Sequence, residues 1–134
     1  MRKIIIPIIL LLTLALSGCG IKKDNGEKTK DLEYTVVERG GIPAELLSMI
    51  DKEKSKEFRL SANIGDYTYI VEGYGCQPTG GYSIRVDEVY ETSESVFFHS
   101  TLMGPKAGEA VNKLATYPYI VVKIECTQKN INFE

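Results

Sequence analysis

Few side chains in this chain of 134 residues are equipped for chemistry, and where they stand limits what they could do. Cysteine occurs at positions 19, 76 and 126, histidine only at 99, and tryptophan not at all. A zinc site takes three or four ligands. One histidine and separated cysteines do not supply them, so no metal is expected. No Cys-x-x-Cys pair is present for redox catalysis. A serine–histidine–acid site has its residue types available, but nothing like a nucleophile elbow accompanies His99, which reads as an ordinary strand histidine. Gly73-x-Gly75 lacks the helix N-terminus that would receive phosphate. The run from Asp51 to Lys56 lacks the spaced ligands and central glycine of a calcium loop; it reads as the solvated face of an amphipathic helix. Sixteen basic against eighteen acidic residues, a formal charge of −2, give no electrostatic drive toward nucleic acid. The residues therefore point away from an enzyme and away from any cofactor.

The start of the chain is of a different kind. Arg2 and Lys3 precede an apolar run from Ile4 to Leu16, followed by small Ser17 and Gly18 and then Cys19. A basic start, short greasy middle and small-residue exit form the pattern of a secretory signal peptide. The run is too short to span a bilayer, which takes about 20 apolar residues. Leu16-Ser17-Gly18-Cys19 resembles the bacterial lipobox, in which the cysteine thiol is lipidated before cleavage. Residues 1–18 are thus expected to be a lipoprotein signal peptide and Cys19 the lipid attachment point. The mature chain then carries fourteen basic and eighteen acidic residues. It would be anchored to a membrane of the bacterial cell envelope through its lipid, not through a spanning helix. Residues 19–31 are too polar to bury surface that offsets ordering entropy, and they read as a flexible tether. In an exported protein the remaining Cys76 and Cys126 most often form a disulfide, worth about 4 kcal/mol in the chain-entropy model. The alternative is a pair of unpaired buried thiols.

The rest, 32–134, is long enough for one domain. Leu32, Tyr34 and Val36 alternate with polar residues and predict a strand to about Glu38, broken by Gly40-Gly41. Pro43 stands where a helix begins, with Glu45 in its first turn and Leu46, Met49 and Ile50 at helical spacing. Tyr67, Tyr69 and Val71 then alternate with Thr68, Ile70 and Glu72. Tyr82, Ile84, Val86 and Tyr90 are expected on one face of the next strand, and Val96, Phe98 and Leu102 on one face of another. Ile120, Val122, Ile124 and Cys126 share a face of the last. Period-two alternation implies sheets with one buried face, mostly antiparallel. The expected fold is mainly β: a small antiparallel β-sandwich or partly closed barrel carrying one amphipathic helix.

The densest stretch is Gly73-Tyr74-Gly75-Cys76-Gln77-Pro78-Thr79-Gly80-Gly81-Tyr82. Pro78 sets φ for a turn, and Gly80 and Gly81 permit positive φ or close backbone approach. Gly104-Pro105 and Tyr117-Pro118-Tyr119 mark further turns, with an aromatic residue before proline favouring a cis bond. Such loops on a sheet scaffold are platforms for partners, though a connection that simply needs glycines is the plainer reading. These residues, with Tyr69-Ile70-Val71 and Ile120 to Ile124, resemble the PrcB-like C-terminal domain family over roughly 66–125. The resemblance implies a non-catalytic lipoprotein that binds and stabilises an exported protease. Its implied partner surface is Gln77, Pro78, Thr79, Gly80, Gly81 and Tyr82 together with Tyr117, Pro118 and Tyr119. Cys76 departs from the family, which usually has a charged residue there. Gln77 to Tyr82 is also similar to the Asn-Pro-Thr-Thr-Gly-Tyr loop of chagasin-like protease inhibitors, without that loop's asparagine. A protease inhibitor and a purely structural envelope lipoprotein stand as alternatives.

A disulfide would put the loop at 77 and the turn at 117–119 at opposite ends of the last strand, so the bridge and a joint surface oppose each other. Lipidation is tested directly: a Cys19→Ala chain is expected to lose its lipid mass and turn soluble or unprocessed. A wild-type mature chain that starts elsewhere and carries no lipid would overturn this expectation.

Overall fold

The computed structural model describes residues 28–134. The expected signal peptide, Cys19 and most of the expected tether lie outside the described residues. In order, the elements are β1 (Lys30–Asp31), β2 (Thr35–Val36), a 3-10 turn (Arg39–Gly41), α1 (Ala44–Glu53), β3 (Glu57–Ile64), β4 (Tyr67–Tyr74), β5 (Ser83–Glu91), β6 (Ser95–Met103), β7 (Tyr119–Glu125) and β8 (Asn130–Phe133). They form two four-stranded sheets, ordered β1-β5-β6-β8 and β2-β7-β4-β3. Among the described residues the fold is the expected sandwich, with one α-helix and no closed barrel.

The central pair of the second sheet is β4 with β7, antiparallel from Tyr67↔Glu125 to Gly73↔Tyr119. Alternation places Ile70, Ile120, Val122 and Ile124 toward the first sheet, where Val89, Val96 and Phe98 meet them. Tyr69, Val71 and Val121 point the other way, onto Ile42, Leu46 and Ile50 of the helix and its approach. This sheet therefore has two covered faces, not the one expected from period-two patterning. Ile70, Val71, Val121 and Val122 are all buried, so its central strands read as near-continuous apolar runs. The helix starts at Ala44, with Pro43 capping it. Its charged tail pairs with itself, Lys54 with Asp51 and Lys56 with Glu53.

Several expected strands are corrected. The first splits in two: β1 pairs with β5, the chain crosses between the sheets, and β2 pairs with β7. The first described strand thus begins at Lys30, inside the segment expected to be tether, where Lys30 and Asp31 pair with the edge of β5. In β5 the register shifts between Val86 and Glu88. The extra residue, Asp87, turns Val89 inward in place of the expected Tyr90, which stacks on Phe97 instead. Two strands were not expected at all: β3, and β8, which runs parallel to β6.

Among the described residues the charged exception in the core is Glu72, only 4% exposed. Arg59 donates to it across the β3–β4 pair at 2.9 Å, and Ser100 of β6 donates from the opposite sheet at 2.6 Å. The Tyr74 hydroxyl joins Ser100 at 2.5 Å, and burial pushes that hydroxyl above the ordinary tyrosine range. Among the described residues no buried side-chain nitrogen or oxygen lacks a partner.

The expected Cys76–Cys126 disulfide is absent: both thiols are free, and both are exposed, not buried. The β4–β7 register gives the reason. Cys126 donates its N–H to Asp66 O, before the start of β4, whereas Cys76 lies two residues beyond its end. Eight strand residues separate those ends by about 26 Å, and a disulfide needs Cα atoms within about 7 Å. Both thiols are expected to react with Ellman's reagent in native, unreduced protein. The double variant Cys76→Ser, Cys126→Ser should melt within a few degrees of wild type, far from the loss of about 4 kcal/mol that removing a bridge would cause. A single non-reducing peptide joining the two cysteines would overturn this.

Candidate functional site

Loop 75–82 leaves the end of β4, and loop 104–118 leads into β7 at the same end, because Gly73 and Tyr119 are cross-strand partners. The antiparallel ladder continues into the loops. Tyr74 N–H donates to Pro118 O at 3.0 Å. Gln77 and Thr116 then form an isolated bridge, exchanging N–H···O bonds of 2.8 and 2.9 Å. Farther out, Gly80 N–H donates to Asn112 O at 2.8 Å, and the Thr116 hydroxyl donates to Thr79 O at 2.8 Å. The Gln77 amide folds back onto Tyr74 O at 3.0 Å. The two loops are thus one backbone-paired surface. With the disulfide gone, nothing opposes the joint placement of 77–82 and 117–119.

The expected residues divide by role. Pro78, Gly81 and Tyr117 are exposed, while Gln77, Thr79, Gly80, Tyr82, Pro118 and Tyr119 are half-buried. Tyr117, 39% exposed, presents the largest accessible ring of the set. Tyr119 is held by Arg39, whose guanidinium donates to its hydroxyl at 3.1 Å. Tyr82 lies against Gly104, where an added Cβ would come within 3.2 Å of its ring. The Tyr117–Pro118 bond is trans; the described residues hold no cis peptide. Sequence reasoning missed Asn112 and Thr116, which pin the loop, and Leu114, the most exposed large apolar side chain here. No local motif announces them, since their partners lie more than thirty residues away.

Among the described residues, no titrating or nucleophilic constellation converges on these loops. His99 sits mid-strand on the outer face of the first sheet, its Nδ1 2.9 Å from Asp87 Oδ2. Thr101 and Arg85 also donate to that carboxylate and hold it below the usual carboxylate range. The arrangement at the loop end offers shape, backbone groups and tyrosine rings, which suits recognition.

Gly81 is the conformational key, at φ +87°, a region that strongly favours glycine. A Cβ there would also lie 2.7 Å from Val111 Cγ1 and 3.1 Å from Pro105. At Gly80 the nearest atom to an added Cβ is Asn112 Cβ at 3.5 Å, ordinary contact. Gly81→Ala is therefore expected to cost about 1–3 kcal/mol, read as a fall in melting temperature of several degrees, while Gly80→Ala stays near wild type. Equal melting of the two variants would refute this division.

Comparison with curated proteins and with solved structures yields no match. Among families, residues 68–125 match the model described as PrcB C-terminal. That segment, a little under half of the chain, contains both loops and nearly all of β4 through β7, so the likeness to the PrcB C-terminal family lies in the loop-bearing part of the chain.

Proposed function

We propose that this chain is a non-catalytic lipoprotein of the bacterial cell envelope, anchored through Cys19, that binds and stabilises an exported protease through the paired loops 75–82 and 104–118. The observation that carries the reading is the bridge between Gln77 and Thr116, which joins both expected contact segments inside the region of the PrcB C-terminal match. A surface already fixed by backbone hydrogen bonds loses little conformational entropy when it binds. An exposed tyrosine such as Tyr117 is a residue type enriched in interface hot spots. The geometry also suits an anchored subunit. Thr29 N–H donates to Glu91 O, so the described chain starts at the far end of β5, about 26 Å of strand from Ser83. An anchor upstream of Lys28 would leave the loops pointing away from the membrane.

The two free thiols provide a test with an internal control. A maleimide photo-crosslinker is attached at Cys76 in a Cys126→Ser chain, beside the loops, or at Cys126 in a Cys76→Ser chain, at the opposite end. Irradiation in native envelopes is expected to join an exported protease to the Cys76 probe at least tenfold more than to the Cys126 probe. Tyr117→Ala and Thr79→Ala, each melting as wild type, should reduce that adduct. Equal adducts from both ends, or no protease from either, would overturn the reading. With the protease in hand, a longer active lifetime on binding marks a stabiliser, and loss of its turnover marks the chagasin-like alternative.

A further inference from the structure

Beside the paired loops, β5 leaves part of its edge open. Its outer neighbour, β1, covers only Tyr90 and Glu91, and Leu32 N–H adds one bond to Val89 O at 2.9 Å. The chain then crosses to the other sheet and pairs with β7 at Lys123 and Val122. Among the described residues, the backbone of 83–86 pairs with β6 alone. The register shift at Asp87 separates this open stretch from the covered one; bulges commonly end pairing in this way.

A groove of about 450 Å³ runs alongside that edge. Tyr82 of the loop and Ile84 of the first sheet wall one side; Val36, Tyr119 and Ile120 of the second sheet wall the other. Val36 is 50% exposed, an unusual state for a valine that lies on a line of core-facing residues. Tyr82, Pro118 and Tyr119 belong both to this groove and to the loop surface, so the two are continuous.

We propose that residues 83–86 of β5 accept an extended segment of the partner as an added strand, with apolar side chains at alternate positions entering the groove beside Val36 and Ile84. This deepens the protease-binding reading and rests on it for the identity of the partner. Two features of the chain favour such an occupant. The edge already accepts a strand, its own residues 29–32, so its open remainder carries the same hydrogen-bonding capacity; strand addition converts that capacity into affinity, and alternate side-chain pockets convert it into specificity. The chain upstream of Lys28 leaves from the Glu91 end and would have to double back over about 26 Å to fill the groove itself.

The test uses detergent-extracted full chain and a probe independent of the protease: a phage-displayed library of linear seven-residue peptides. Panning is expected to enrich peptides with apolar residues at every second position. Those peptides should bind Val36→Asp at least tenfold more weakly, yet bind Met49→Asp, a change on the exposed helix face, as they bind wild type. In the bound state, amide exchange at 83–86 should slow at least tenfold. No enrichment, equal binding to Val36→Asp, or protection confined to other strands would overturn the proposal. So would light scattering that shows the groove filled by a second copy of this chain, or exchange in the free chain that already shows 83–86 protected. Peptide binding without a protease at the Cys76 probe would retain the strand site and refute the protease. A crosslinked protease that leaves 83–86 unprotected would do the reverse.

Discussion

The antiparallel register of β4 with β7 is the constraint from which the rest of the molecule follows. Pairing Tyr67 with Glu125 and Gly73 with Tyr119 sends Ile70 and Val122 to one face and Val71 and Val121 to the other. Both faces must then be covered, one by the first sheet and one by the helix. The same register sets which chain segments emerge together. It brings loop 75–82 beside the segment entering β7, and it sends Cys126 to the opposite end. A slip of one residue would invert every side chain in the pair. Gly73 adds a local reason for the register: the Phe58 ring from β3 lies over it, and a Cβ at that position would be 2.1 Å from the ring. Only a glycine at this point lets β3 close on β4 with Phe58 turned toward the helix side.

The loop end is an extension of that ladder, not an appendage to it. Tyr74 to Pro118 and Gln77 to Thr116 continue the β4–β7 pairing past the last strand residue. Loops of this length would ordinarily be mobile, but here backbone bonds, the Thr116–Thr79 bond and the close fit at Gly81 hold them. The sandwich thereby displays a fixed irregular surface without a helix or disulfide to support it.

Much of this was legible because half-buried strands carry a period of two. The alternation at Tyr67 to Glu72, at Val96 to Thr101 and in the last long strand located β4, β6 and β7, and the glycine–proline stretch located the loop. The failures have particular causes. Phe58, Leu60, Ala62 and Ile64 alternate cleanly, but they follow directly on a charged helix tail, with no glycine or proline to mark where the strand begins. The face of Tyr90 was misassigned because one inserted residue, Asp87, reverses every alternation after it. A parallel edge strand such as β8 carries no turn signal linking it to β6. Even numbers of exported cysteines argue for bridges, but only register shows whether two thiols can meet. The partnership of Gln77 with Thr116 spans a sequence separation that no local pattern encodes.

Glu72 explains how the two sheets keep their relative position beneath the loops. Contacts such as Ile70 and Val122 against Phe98 favour burial, but apolar packing is non-directional and tolerates small slides. A charge-assisted hydrogen bond does not. Ser100 of β6 donates to Glu72 of β4 across the sandwich, Tyr74 closes onto Ser100, and Arg59 neutralises the carboxylate from the edge. Burying a carboxylate is costly unless such partners satisfy it, so the network trades stability for position. Its location is the telling point. Tyr74 is the last residue before loop 75–82, and Ser100 precedes the end of β6 by three residues, where the second loop departs. Fixing Ser100 to Glu72 fixes the two strands that launch the loops. The hydrogen bonds between Gln77 and Thr116 then begin from ends already held in register.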